Sequence, residues 1–88
     1  MLAKRVTVRL ENGLQARPAA LFVQSANLFK SHLTLEKGGH VANVKSIMGV
    51  MSLAPAYGES FLLRAEGEDE MDALAALASF VENEQMNA

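Results

Sequence analysis

The sequence predicts a two-layer α+β fold, an open-faced sandwich in which four strands form one sheet and every helix covers the same face. Three observations lead there. Apolar residues alternate on one side of each strand candidate, each longer helix candidate carries a single apolar stripe, and the order along the chain is β-α-β-β-α-β-α. With 88 residues, half of them apolar when alanine is counted, the whole of 1–88 reads as a single domain around one core.

Residues 2–10 alternate, with Val6, Val8 and Leu10 on one face and Arg5, Thr7 and Arg9 on the other, the pattern of a half-buried strand. Glu11-Asn12-Gly13 breaks it. Over 16–29, Ala19, Phe22, Val23, Ala26 and Phe29 recur at helical spacing, and Pro18 falls in the first turn, where its missing N–H costs little. Leu33 and Leu35 alternate with Thr34 and Glu36, and Lys37-Gly38-Gly39-His40 separates them from the run Val41-Ala42-Asn43-Val44, which predicts a β-hairpin. Ser46 opens a short apolar segment over 47–53, about two helical turns stopped by Pro55. Phe61, Leu63 and Ala65 alternate with Ser60, Leu62 and Arg64 in the last strand. Asp69 is the expected cap of a final helix with Met71, Leu74, Leu77, Ala78 and Val81 on its buried stripe. The open sheet face would carry Arg5, Thr7, Arg9, Thr34, Glu36 and Arg64.

Composition removes several function classes. There is no cysteine, hence no disulfide, thiolate metal site or thiol nucleophile, and two histidines are too few for a histidine-based metal site. No cofactor is implied, and nothing groups an acid, a base and a nucleophile as an enzyme would. Eight basic and ten acidic side chains leave a formal charge of −2, which gives no electrostatic case for binding nucleic acid or an acidic membrane directly. Past Arg64 there is no Lys or Arg, whereas Glu66, Glu68, Asp69, Glu70, Asp72, Glu82 and Glu84 follow. The N-terminus lacks the apolar run of a signal peptide and no stretch approaches a membrane span, so a small soluble cytoplasmic protein with a surface-mediated role is expected.

Two segments exceed what the core requires. In Gly13-Leu14-Gln15-Ala16-Arg17-Pro18-Ala19-Ala20 a helix starts without a Ser, Thr, Asp or Asn cap, which suits either solvated N–H groups or an anion beside Arg17. In Lys45-Ser46-Ile47-Met48-Gly49-Val50-Met51-Ser52-Leu53, a helix this short cannot bury Ile47, Met48, Val50, Met51 and Leu53 on one face. Some of them must face solvent or a partner, and methionine suits adaptable contact surfaces. Ser46 reads on pattern alone as the N-cap. Ser25, Ser31 and Ser52 are weaker candidates for a modified serine.

At this spacing the two segments resemble the HPr family, the histidine-containing phosphocarrier proteins of the bacterial sugar phosphotransferase system. Gly13-Leu14-x-Ala16-Arg17-Pro18-Ala19 matches the phosphocarrier-site pattern, and Lys45-Ser46-Ile47-Met48-Gly49-x-Met51-Ser52-Leu53 matches the regulatory-serine pattern of its Gram-positive members. The resemblance covers nearly the whole chain and implies a four-stranded antiparallel sheet with three helices on one face. In the family a histidine follows Gly-Leu and takes a phosphoryl group from enzyme I. Here that position is Gln15.

A carboxamide nitrogen delocalises its lone pair into the carbonyl and is not a nucleophile at neutral pH, unlike imidazole. His32 opens a predicted strand and His40 follows the hairpin turn, and neither falls beside Arg17 in sequence or in the expected fold. The resemblance therefore implies a regulatory member: Ser46 phosphorylated by HPr kinase/phosphorylase, and the product acting as corepressor with catabolite control protein A, a LacI-type repressor. Ile47, Met48 and Met51 would supply the apolar contact beside Ala16, Ala20 and Val23, while Gln15, Arg17 and Lys45 supply polar contacts. Two other readings compete, a phosphocarrier using a different nucleophile and an RNA-binding plait. The latter needs aromatics on the sheet, whereas most of Phe22, Phe29, Tyr57, Phe61 and Phe80 fall at core-spaced positions. The sequence does not give the oligomeric state; an open sheet leaves two edges, and swapping of strand one into a homodimer is the less favoured alternative to a monomer.

Overall fold

The computed structural model describes residues 1–83, so Glu84 of the acidic stretch lies outside the described residues. Seven elements follow in the expected order: β1 (Leu2–Thr7), α1 (Ala16–Ala26), β2 (His32–Lys37), β3 (His40–Asn43), α2 (Ile47–Leu53), β4 (Ser60–Glu66) and α3 (Glu70–Glu82). The strands make one antiparallel sheet in the order β1-β4-β2-β3. β4 is thus inserted between β1 and β2, which run parallel to each other on either side of it.

The alternation has the physical meaning the sequence suggested. Val6, Leu33, Leu35, Phe61, Leu63 and Ala65 are fully buried on one sheet face. Ala19, Phe22 and Ala26 of α1 and Ala73, Leu77, Ala78 and Val81 of α3 join them in one core. The rings of Phe22 and Phe80 meet across α1 and α3 with centroids 5.6 Å apart. On the other face Arg64 pairs with Glu36 at 3.2 Å and the hydroxyls of Thr7 and Ser60 lie 2.9 Å apart.

Four boundaries or burials differ from expectation. β1 ends at Thr7, not residue 10, because its partner β4 begins at Ser60 opposite Thr7. Beyond it the Val8 N–H donates to the Glu59 carbonyl and the Arg9 N–H to Val81, so Val8 and Leu10 stay buried outside the ladder. α1 ends at Ala26 because the Asn27 side-chain amide takes the Val23 carbonyl at 2.8 Å. The next two N–H groups then make tighter bonds, from Leu28 to Ser25 and from Phe29 to Ala26. β3 stops at Asn43, while Val44 remains buried with its N–H on the Leu33 carbonyl. Met71, expected on the buried stripe, is 73% exposed. At about 100° per residue the stripe centres between Ala73 and Ala78, and Met71 falls just past its Ala78 edge.

Asp69 stands at the N-cap position of α3, yet its side chain does not cap that helix. It accepts instead from the Ser31 hydroxyl at 2.5 Å, the Ser31 N–H at 2.9 Å and the Lys30 N–H at 2.8 Å. The carboxylate therefore pins the loop that follows α1 to the start of α3. Gly67 makes this close approach possible: its φ is +153°, and a Cβ there would stand 2.7 Å from Ser31.

The Ser31 hydroxyl and the Lys30 N–H hold the Asp69 carboxyl below its ordinary value of 3.8. A depressed folded pKa stabilises above the unfolded value, and that stabilisation is lost as pH falls through the folded one. Asp69→Asn should therefore lower the melting temperature at neutral pH and flatten its fall below about pH 4. Thermal melts of both proteins across that range check this. Parallel acid slopes would show that the clamp is not coupled to folding.

Candidate functional site

The two segments beyond the core's needs come together because α1 packs against α2. A backbone hydrogen bond ties them as well: the Leu14 N–H donates to the Pro55 carbonyl at 2.9 Å, joining the entry of α1 to the exit of α2. Gly13 has a φ of +76°, and a Cβ there would stand 2.9 Å from that same carbonyl oxygen. Any larger residue would push the two segments apart.

At the start of α1, Gln15 is extended and makes no side-chain cap, and Ala16 has a φ of +51°. A non-glycine residue in this region is strained, by about 1–3 kcal/mol. Gln15, Ala16 and Arg17 are all exposed, and Ala20 is half-buried behind them. No acidic residue lies in the first turn. The segment thus offers a carboxamide, a guanidinium and a helix terminus without a capping side chain.

Ser46 is positioned by a turn before it and a helix after it. The Asn43 side-chain oxygen accepts from the Lys45 N–H at 2.9 Å, and the Asn43 carbonyl accepts from the Ser46 N–H at 3.0 Å. The Ser46 hydroxyl oxygen accepts from the Gly49 N–H at 3.1 Å, so the side chain caps α2 as the sequence suggests. Of α2's residues only Val50 is buried. Ile47, Met48 and Met51 are exposed, Met48 by 78% and Met51 by 46%.

Two residues expected to meet a partner are placed otherwise. Val23 is only 9% exposed and belongs to the core, because it shares the buried stripe with Ala19, Phe22 and Ala26; it supports the surface from beneath. Lys45 is half-buried, its ammonium donating to the Phe29 carbonyl at 2.6 Å beyond the end of α1. It ties α1 to α2 and is not a free cation.

The sequence reading missed Leu28, which is 81% exposed. It stands between Asn27 and Phe29, both bonded to Lys45, and so extends the apolar surface beside Ser46. The signal was available, since Leu28 falls about 180° from Ala19 and so opposite the buried stripe of α1.

Two of the three other candidate serines have their hydroxyls engaged. The Ser31 hydroxyl is buried on Asp69, and the Ser52 hydroxyl donates to the Gly49 carbonyl at 2.7 Å. His32 and His40 are exposed strand residues opposite Glu66 and Lys37, on different elements from Arg17. Among the described residues no group of acidic or histidine side chains could hold a metal ion, and no helix is long and apolar enough to cross a membrane.

This fold and this pair of segments define an HPr-type protein. Residues 2–83 match the family described as the PTS HPr component phosphorylation site, and the chain belongs to the HPr family. It is 57% identical over 84 residues to the HPr-like protein Crh of Bacillus subtilis (strain 168), covering 96% of this chain and 99% of that one. Among solved structures, the phosphocarrier protein HPr from Bacillus anthracis superposes with a TM-score of 0.89 at 55% identity, over 91% of this chain and 95% of that one. A crystal structure of Bacillus subtilis Crh, described as a swapped, intertwined dimer, gives a TM-score of 0.77 at 57% identity, over 96% and 97% of the two chains.

Removing the cap at α2 should be measurable without any partner. Ser46→Ala leaves the Gly49 N–H without its acceptor and should cost about 1 kcal/mol in a urea melt. Ser46→Asp restores an acceptor and should recover most of the loss. Equal stability of all three proteins would refute a capping role for the hydroxyl.

Proposed function

We propose that this chain is a regulatory HPr-like protein of carbon catabolite repression and not a phosphohistidine carrier. The observation that carries this reading is Gln15 at the matched phosphocarrier position, together with an intact Ser46 motif on an exposed apolar helix. A carboxamide cannot form the phosphoryl intermediate, so energy transfer through this position is lost. The likeness to Crh supports the catabolite-repression assignment.

HPr kinase/phosphorylase uses ATP to modify Ser46: the Oγ attacks the γ-phosphorus, ADP leaves, and the hydroxyl proton passes to the kinase. The chain supplies no catalysis of its own. It presents one hydroxyl on a fixed helix end. The product gains about −1.5 to −2 charges at the α2 N-terminus, where the helix dipole favours them by about 0.3–1 kcal/mol. Catabolite control protein A, a LacI-type repressor, then reads the dianion with its basic side chains. Ile47, Met48 and Met51 provide the adjoining apolar contact, with Ala16 and Ala20 beside them and Gln15 and Arg17 as polar contacts. Both partners act in the cytoplasm.

Incubation with ATP and the kinase, followed by peptide mass spectrometry, should place one phosphoryl group on Ser46 and none on Ser46→Ala. The modified protein should bind the repressor, and Ser46→Ala should not. Met48→Asp should weaken both encounters, on the order of tenfold or more. An acid-labile adduct formed with phosphoenolpyruvate and enzyme I would overturn this reading and favour a carrier with another nucleophile. So would equal repressor binding by Ser46→Ala.

The swapped dimer of the Bacillus subtilis relative extends to this chain the expectation that β1, an edge strand, exchanges between two copies. Size-exclusion chromatography with light scattering at micromolar concentration should resolve a dimer beside the monomer. A lone monomer peak at all concentrations would remove the exchange.

A further inference from the structure

We propose that Met48, with Met51 beside it on α2, is a peroxide-sensitive modification site whose oxidation switches off docking through this helix; this rests on the regulatory reading above. The chain has no cysteine, so two-electron oxidants such as hydrogen peroxide meet only its five methionines as sulfur targets. Met48 is the most exposed methionine among the described residues, and it stands two positions from Ser46. Met1 and Met71 are comparably exposed but lie at the start of β1 and on α3, away from α2, and Met86 lies outside the described residues.

The reaction balances with the peroxide alone. The thioether sulfur attacks one peroxide oxygen, an S–O bond forms as the O–O bond breaks, and the remaining oxygen leaves as water. Sulfur is oxidised by two electrons to the sulfoxide and the peroxide is reduced. A flexible apolar side chain becomes a polar one.

Location decides the consequence. Only Val50 of α2 is buried, so a sulfoxide at Met48 removes no core contact and leaves the fold intact. The same change falls in the middle of the exposed set Ile47, Met48 and Met51, where a partner reading phosphorylated Ser46 would have to desolvate it. The charge signal on Ser46 and the oxidation signal on Met48 would then oppose each other on one helix.

The test uses the full chain phosphorylated on Ser46 and treated with graded hydrogen peroxide. Peptide mass spectrometry maps the sulfoxides, circular dichroism follows the fold, and titration measures affinity for the LacI-type repressor. Conversion of Met48 should weaken binding on the order of tenfold with an unchanged spectrum. Methionine sulfoxide reductases should restore it. Whatever its affinity before treatment, a Met48→Leu/Met51→Leu protein should show no further change on exposure to peroxide, and Met71→Leu should lose affinity as the unsubstituted chain does. The proposal falls if Met48 stays unmodified at doses that convert Met71, if its sulfoxide leaves affinity unchanged, or if the Leu pair still loses binding. Failure of the untreated phosphorylated chain to bind would instead remove the regulatory reading, and this proposal with it.

Discussion

Val6, Leu33, Leu35, Phe61 and Leu63 share one face of a four-stranded sheet, and the need to bury that single face organises everything else. Each large side chain buried there contributes about 1.5–3 kcal/mol, so the two helices long enough to cover it have little freedom in where they lie. α1 and α3 take most of this role. Small residues at Ala73 and Ala78 suit the close approach of α3 to β1 and β4, and Ala19 and Ala26 lie in the same core on α1, which packs against α2 and α3. β4, inserted between β1 and β2, is the strand whose loss would open the sheet in two.

α2 is left over by this arrangement. It packs on β3 and α1, with Val50 as its one buried side chain. Seven residues are too few to hold a helix in water without tertiary support. Polar ties at its ends replace the missing hydrophobic anchor. Ser46 caps its start, Lys45 reaches the Phe29 carbonyl, and the Lys37 ammonium meets the Leu53 carbonyl at 3.4 Å and Glu59 at 3.1 Å. The Ala56 N–H and Lys37 together hold the Glu59 carboxyl below its ordinary range, so this strap is charged near neutrality. Ala54 closes the helix in the left-handed region, its N–H on Val50, just before Pro55. The outcome is a fixed platform whose outward side is apolar.

How much of this was legible depends on which force decided each feature. Element order and sheet burial follow from alternation and stripe, so every strand and helix could be read from the chain. The ends of β1 and α1 were set by tertiary partners, the start of β4 and the Asn27 amide, which no local pattern reports. Asp69 shows the same limit: its sequence position marks a cap, while its carboxylate serves a loop 38 residues away. At the site, the surplus of apolar residues in α2 was plain because helical geometry forbids burying them all. Lys45 was misread because a lysine beside a serine motif looks like a free charge until the Phe29 carbonyl is seen next to it. Leu28 was missed for the opposite reason, being read as part of a longer α1 and not as a surface of its own.

The charge pattern explains why a phosphate at Ser46 would act outward. Much of the acidic C-terminal half is already partnered within the chain: Lys4 with Glu82, Lys30 with Glu68, and the N-terminal ammonium with Glu70. These exposed pairs contribute little stability individually, yet they engage the nearest cations. Lys45, next to Ser46 in sequence, is held by the Phe29 carbonyl, and Lys37 by Glu59 at the far end of α2. Among the described residues, Arg5, Arg9 and Arg17 form no ion pair, and of these Arg17 lies on α1, which packs against α2. A dianion on Ser46 would take the formal charge from −2 to about −4 with few cations of the chain free to answer it. Cations of another protein would be the natural partners of such a dianion, and the apolar residues around it would give that protein something to bury once the charges had met.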